Sequence, residues 1–306
     1  MAVSTGTATD YLDLLEKLNT FVTGLSGGAA WTALRNVTGE KIWSAPGGGA
    51  DQIIVGAKAF SNVGADYYNW RLGGFLAFDP AVAFEIQSGY VGIWNGAPAP
   101  SPVLNLWNGS IPYRFYASGR RAIVLAKISS VYVTAYLGFL SSYISPGSWP
   151  YPLVVGGSMA WDTEPAATSA SWRWSYAGAE ITNFPIPRST SNPYDSSLRV
   201  RLPSGVWIGI ERNAAETQAN TGKIWPYSNV IALPDWRDNL GGGYMLLPVI
   251  LADGTPNVYG ELDGVFALTG FGNGAENTVT IGGVVHYVVQ NVFRTDQLDY
   301  FAIKEA

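Results

Sequence analysis

Few side chains in this sequence have the types and spacing that chemistry requires. There is one histidine and no cysteine. The absence of cysteine removes disulfides, thiolate metal sites and cysteine nucleophiles together. The histidine, His286, lies in the alternating stretch VVHYVVQ at 284–290. Its face carries Val284, Val288 and Gln290, and the opposite face carries Val285, Tyr287 and Val289. A lone histidine on such a strand is expected to pack or hydrogen-bond, not to ligate. A zinc site would need three or more carboxylates beside it, and no such cluster is visible. A Ser-His-Asp site would have to use His286, and no nucleophile elbow of the G-x-S-x-G kind occurs. The carboxylate pairs are Glu261 with Asp263, Asp235 with Asp238, and Glu276 near Asp296. A glycosidase needs two carboxyls beside a sugar groove, and the many Trp and Tyr would suit one. With 23 acids in the chain, however, such pairs arise by chance. The glycines of GFGNGA at 270–275 lack the following helix that a dinucleotide site needs. They read as a hairpin turn. We therefore expect no enzyme activity, no cofactor and no metal.

Bulk composition points the same way. Only 13% of the 306 residues are charged, against about 25% in ordinary domains. With 36 Gly, 18 Pro and 12 Trp, the chain reads as many strands, turns and ordered loops, with much of its surface covered by neighbours. A net charge of −5 argues against general nucleic-acid binding, which needs a basic footprint. The N-terminus lacks a basic stretch followed by an apolar run, so no signal peptide is expected. No apolar run approaches the roughly 18 residues of a membrane span.

The elements that would position any site are mostly strands. Residues 9–25 carry the one clear helix pattern, with Thr9 or Asp10 as cap and Leu12, Leu15, Leu18 and Val22 at helical spacing. This helix either packs on its own body or acts as an arm that docks on a neighbour. Strands are expected at 52–59, 67–78 (with a bulge or bend at Gly73-Gly74), 82–86, 90–94 and 104–107. Residues 111–155 read as a hairpin turning at Gly119-Arg120, a second strand over 131–140, and a Pro-rich loop leading into 153–155. Residues 156–195 read as long surface loops. The hairpin 198–212 and strands at 245–251, 264–270, 278–281, 284–293 and 300–304 complete the pattern. The expected fold is mainly β: an antiparallel sandwich or barrel-like body with a short N-terminal helix and long ordered loops. Residues 1–35 read as a helical arm and 36–306 as the body, which divides, if at all, into two lobes meeting around 156–197.

Aromatic-proline steps at Trp149-Pro150, Tyr151-Pro152 and Trp225-Pro226 stiffen loops. Three readings stand for them: packing beneath the loop, contact with another subunit, or stacking on sugars. The candidate partner-contact residues are Trp149, Tyr151, Trp161, Trp172, Trp174, Trp225, Tyr227 and Trp236. The loop from Trp149 to Pro152 is expected to form a contact surface held rigid by proline.

Three stretches taken together carry a family resemblance. They are IPYRFYASGRRAIVLAKISSVYVTAYLGFL with PYPLVVGGS, then DQIIVGAKAF with DYYNWRLGGFLAFD, and the tail GELDGVFALTGFGNGAENTVTIGGVVHYVVQNVFRTDQLDYFAIK. The chain resembles an uncharacterised family of virion structural proteins of tailed bacteriophages, from about residue 9 to the end. The likeness is one of pattern, without a short diagnostic motif. It implies an architectural role in the tail (baseplate or tail tip) or in the neck or collar. Its partners would be copies of itself and other phage structural proteins, and its location the virion. The alternative is a host-surface carbohydrate-binding module, with host glycan as its ligand.

Overall fold

The structure, a computed structural model, describes residues 1–47, 52–94, 97–98, 101–161, 197–211, 221–225, 244–253, 257–270, 272–290 and 300–305. The chain opens with strand β1 (Ala2–Ala8) and helix α1 (Tyr11–Thr23). Asp10 caps the helix, accepting from the Leu12 and Asp13 amides at 2.8 Å each, which satisfies two of the four donors a helix leaves unpaired. Asp13 accepts in turn from the Thr9 amide. Leu14, Leu15, Leu18 and Val22 form the buried stripe.

Next come β2 (Thr32–Val37), β3 (Glu40–Ala45), β4 (Ile53–Asn62) and β5 (Tyr67–Phe75). A small hairpin, β6 (Ile93–Trp94) with β7 (Ala97–Pro98), precedes β8 (Ser101–Leu106). The middle of the chain forms β9 (Ile111–Ala117), β10 (Arg121–Ile128), β11 (Val131–Phe139), β12 (Ser141–Ser142), β13 (Leu153–Gly156) and β14 (Met159–Trp161). The last third forms β15 (Leu198–Arg201), β16 (Trp207–Glu211), β17 (Thr221–Trp225), β18 (Leu247–Asp253), β19 (Val258–Leu268), β20 (Thr278–Ile281), β21 (Val284–Gln290) and β22 (Tyr300–Lys304).

These strands make two principal sheets. The smaller runs β14-β8-β5-β4-β3-β2. The larger has fourteen strands, thirteen along the path β1-β9-β10-β11-β13-β15-β16-β17-β18-β19-β22-β21-β20 and β12 tacked onto β19. Its neighbours pair antiparallel except β16 with β17. The path is open, so the fold is a mainly β, sandwich-like body and not a closed barrel.

Strands β9 to β13 are a wall between two cores. Alternation along each strand divides its side chains between them. Phe115, Ala122, Val124, Ala126, Val133, Ala135, Leu137, Leu153 and Val155 face the first core, which holds α1 and the small sheet. Tyr116, Ile123, Leu125, Tyr132, Tyr136 and Val154 face the second, opposite Val265, Tyr287, Val289, Phe301 and Ile303. Burial on both faces explains why β10 reads as a nearly unbroken apolar run.

Several expectations change. Residues 1–35 are not a separate arm. Strand β1 pairs with β9 along its whole length, the helical stripe is buried in the first core, and the Trp31 indole donates to the Ser118 carbonyl. Lys41, almost fully buried, ties α1 to the β2–β3 hairpin through Glu16 at 2.7 Å and the Asn36 side chain at 2.6 Å. Residues 82–86 form no strand: Phe84–Ile86 is a 3-10 turn that drives Phe84 edge-on into Phe75 at 5.1 Å. Gly73 and Gly74 make no bulge, since β4 and β5 pair without a register shift. Their role is close packing. A Cβ on Gly73 would lie 2.4 Å from the Phe75 ring, and one on Gly74 2.8 Å from Val155. Most of 156–197, where two lobes were expected to meet, lies outside the described residues.

Candidate functional site

Trp149 is the first correction among the site residues. It is 1% exposed and does not form a contact surface. The Ser148 and Trp149 amides both donate to the Ser145 carbonyl. This tight turn points the indole inward, where Nε1 donates to the Arg201 carbonyl at 3.0 Å and the ring meets Tyr259 edge-on at 5.6 Å. An aromatic-proline step reads alike in sequence whichever way the ring turns. Tyr151, two residues on, is 37% exposed, with the Arg201 guanidinium 5.8 Å from its ring centre. Trp161 and Trp225 lie in β14 and β17. Trp172, Trp174, Tyr227 and Trp236 lie outside the described residues.

The described carboxylates of these pairs are engaged. Glu261 accepts from the Tyr143 hydroxyl at 2.9 Å. Asp263 lies 3.2 Å from the buried Arg121 Nε. Asp235, Asp238 and Asp296 fall outside the described residues. His286 is buried, its Nδ1 3.1 Å from the Val284 carbonyl and its ring edge-on to Phe266. Burial holds its pKa below the ordinary imidazole value. Among the described residues, no group of three or more His, Asp or Glu is placed to hold a metal ion, and no helix is long and apolar enough to cross a membrane.

Among the described residues, a polar cleft forms at the mouth of the second core. Its volume is about 280 Å³, and it is lined by Thr5, Gly6, Pro112, Tyr113, Arg114, Leu125, Lys127, Tyr132, Glu276 and Tyr287. The walls come from β1, β9, β10, β11, β21 and the turn before β20. Two ionic contacts join the two sides of the layer: Lys127 with Glu276, and Arg114 with Glu305, each at 2.5 Å. The Tyr132 hydroxyl also donates to Glu276. Arg114 donates through Nε to the Tyr116 hydroxyl and lies over the Tyr287 ring, 4.0 Å from its centre.

Charge placement explains the ionisation here. Lys127 and the Tyr132 hydroxyl hold the Glu276 carboxyl below its usual range. Burial, helped by Glu276, pushes the Tyr132 phenol up to about 12. Near neutral pH Glu276 is therefore an anion and an acceptor. A carboxyl in that state is a poor general acid, but it suits holding a hydrogen-bonding ligand. Glu276 also adopts φ 71°, a left-handed backbone that costs a non-glycine residue of order 1 kcal/mol and tends to mark functional positions. Its amide donates to Val288 and so fixes the turn to β21.

Of the ten lining residues, sequence reasoning singled out only Glu276, and it paired that residue with Asp296. The available signal was weak. Arg114 and Lys127 are the lone charges in IPYRFYA and in AIVLAKI, and a lone charge on an apolar strand marks a core's rim.

A second surface feature is a set of exposed apolar side chains on loops and at the start of β19. Leu76, Tyr143, Tyr151, Val206 and Val258 are exposed large apolar side chains, between 37% and 55% accessible. Hydrogen bonds tie them in pairs: the Leu76 amide to the Ser88 carbonyl and the Trp207 indole to the Gly89 carbonyl bring Leu76 and Val206 together, and the Tyr143 amide to the Tyr259 carbonyl joins Tyr143 with Val258.

No protein-family model matches the chain, and no curated protein matches it either.

Proposed function

We propose that this chain is a structural subunit of a tailed-phage virion, acting through contacts with copies of itself and with other particle proteins. The observation that carries the reading is the set of exposed apolar side chains Leu76, Tyr143, Tyr151, Val206 and Val258, on a body with few charges. Apolar surface of this kind is what subunit interfaces cover. The family resemblance adds the setting. Within the particle the tail is favoured, at the baseplate or tail tip, ahead of the neck or collar. The subunit would be made in the host cytoplasm and end in the virion, without cofactor or turnover. The mechanism is burial of loop surface in symmetric contacts.

The test is the protein composition of purified particles, with quantitative mass spectrometry giving copies per particle. A fixed, integral copy number is expected. A chain absent from the particles, or present in non-stoichiometric traces, would overturn the reading. Charge substitutions at Tyr151 and Val206 should lower incorporation while leaving the folded monomer intact.

A further inference from the structure

We infer that the cleft at the mouth of the second core binds a neutral sugar residue, a role separate from the assembly contacts proposed above. Four observations converge on this ligand class. First, the volume of about 280 Å³ sits at the small end of ligand sites, which suits one sugar ring and not an extended ligand. Second, Tyr132, Tyr287, Leu125 and Pro112 line it with ring and aliphatic surface, against which the C–H face of a pyranose can lie.

Third, the charges in the cleft are already matched. Lys127 is paired with Glu276, and Arg114 with Glu305. An anionic ligand would have to displace a carboxylate from its cation, and a cationic one would displace the cation. At the partly buried Arg114–Glu305 pair such an exchange leaves a charge unpaired, which is costly; the Lys127–Glu276 pair is more exposed, and its exchange costs little. A hydroxyl both donates and accepts, so a polyol can add hydrogen bonds to Glu276, Lys127 and the Thr5 hydroxyl without breaking either pair. Fourth, Glu276 is held at φ 71°, and this backbone keeps its carboxylate on the rim of the cleft, between Lys127 and Tyr132.

The test uses the full chain and saturation-transfer NMR with methyl glycosides of glucose, galactose and N-acetylglucosamine, with glucuronate as the anionic counterpart. A ligand this small should bind in the millimolar range. We expect transfer to at least one neutral glycoside and a severalfold weaker signal for glucuronate. Glu276→Gln and Tyr132→Phe should weaken neutral-sugar binding about tenfold. Thr5→Trp, a change on an exposed edge strand that leaves both cores untouched, should abolish it by filling the cleft. An oligosaccharide of the same sugar that binds as well as the glycoside marks a glycan end as the source, and weaker binding marks the free sugar. The proposal is overturned if no neutral glycoside shows transfer, if glucuronate binds better than all of them, or if folded Thr5→Trp binds as the parent does. Particle incorporation of Thr5→Trp should be unchanged, which separates failure here from failure of the assembly reading.

Discussion

Replacing Trp149 with alanine should destabilise the fold, because the residue is core and not interface. The indole is 1% exposed, contacts Tyr259 edge-on at 5.6 Å and donates to the Arg201 carbonyl at 3.0 Å. Truncating a buried Trp to Ala costs about 3–5 kcal/mol through lost burial and the cavity left behind. Trp149→Phe keeps most of the ring contact but loses the donor, for about 1–2 kcal/mol. Against a total stability of about 5–15 kcal/mol, the alanine variant gives up a large share. The assay is chemical denaturation followed by circular dichroism. The midpoint should fall in the order parent, Trp149→Phe, Trp149→Ala, with the slope unchanged. Tyr151→Ala, only two residues away, should stay within about 0.5 kcal/mol of the parent and act on assembly instead. The reasoning is refuted if Trp149→Ala unfolds at the parent's midpoint yet fails to enter particles.

Further predictions follow from other buried groups. Asp263→Asn should cost more than Arg121→Met, because the first leaves the almost fully buried Arg121 guanidinium without its counter-charge, while the second removes that charge itself; denaturation midpoints of the two variants decide it. Gly138→Ala should destabilise by upwards of about 2 kcal/mol, since its φ is +145° and a Cβ would lie 2.4 Å from the Arg120 carbonyl oxygen; thermal melts would read the loss. Burial lowers the His286 pKa in the fold, so the unfolded chain binds more protons just below the ordinary value of about 6.5. Stability from this group is therefore complete above that pH and is lost as pH falls toward the folded-state pKa. His286→Phe should flatten that part of the stability–pH curve.

The helix was legible because Asp10 and the leucine spacing act locally. The turn at Gly119-Arg120 and the pairing of β9 with β10 were legible for the same reason. Strand β1 was not, because AVSTGTA has small, weakly patterned residues and exists as a strand only through its pairing with β9. The pairing order of the large sheet was equally hidden, since β19 sits beside β22 and β12 through contacts far apart in sequence. The cleft combines Thr5, Lys127 and Glu276, which no local pattern connects. Trp149 was misread because proline reports a stiff backbone and not the side to which a ring turns.

The wall formed by β9 to β13 raises the question of what keeps its strands in register. In most sheets a one-residue slip is blocked because it would push apolar side chains into water. Here both faces of β10 are buried, so polarity offers little protection. Volume does the discriminating. Along 122–126 of β10 the first core receives Ala122, Val124 and Ala126, with Ile128 beyond them, while the second receives Ile123 and Leu125. On β11 the tyrosines Tyr132 and Tyr136 face the second core, while Leu137 and Phe139 face the first, so the size contrast is sharpest along 122–126 of β10. A slip would force branched side chains into alanine-sized spaces on one side and open voids on the other, and dense packing penalises both errors. The partition is thus aligned by size-sorting between two dry compartments, and a pair of compensating swaps, small for large on one face and the reverse on the other, is the kind of change that would let it slide.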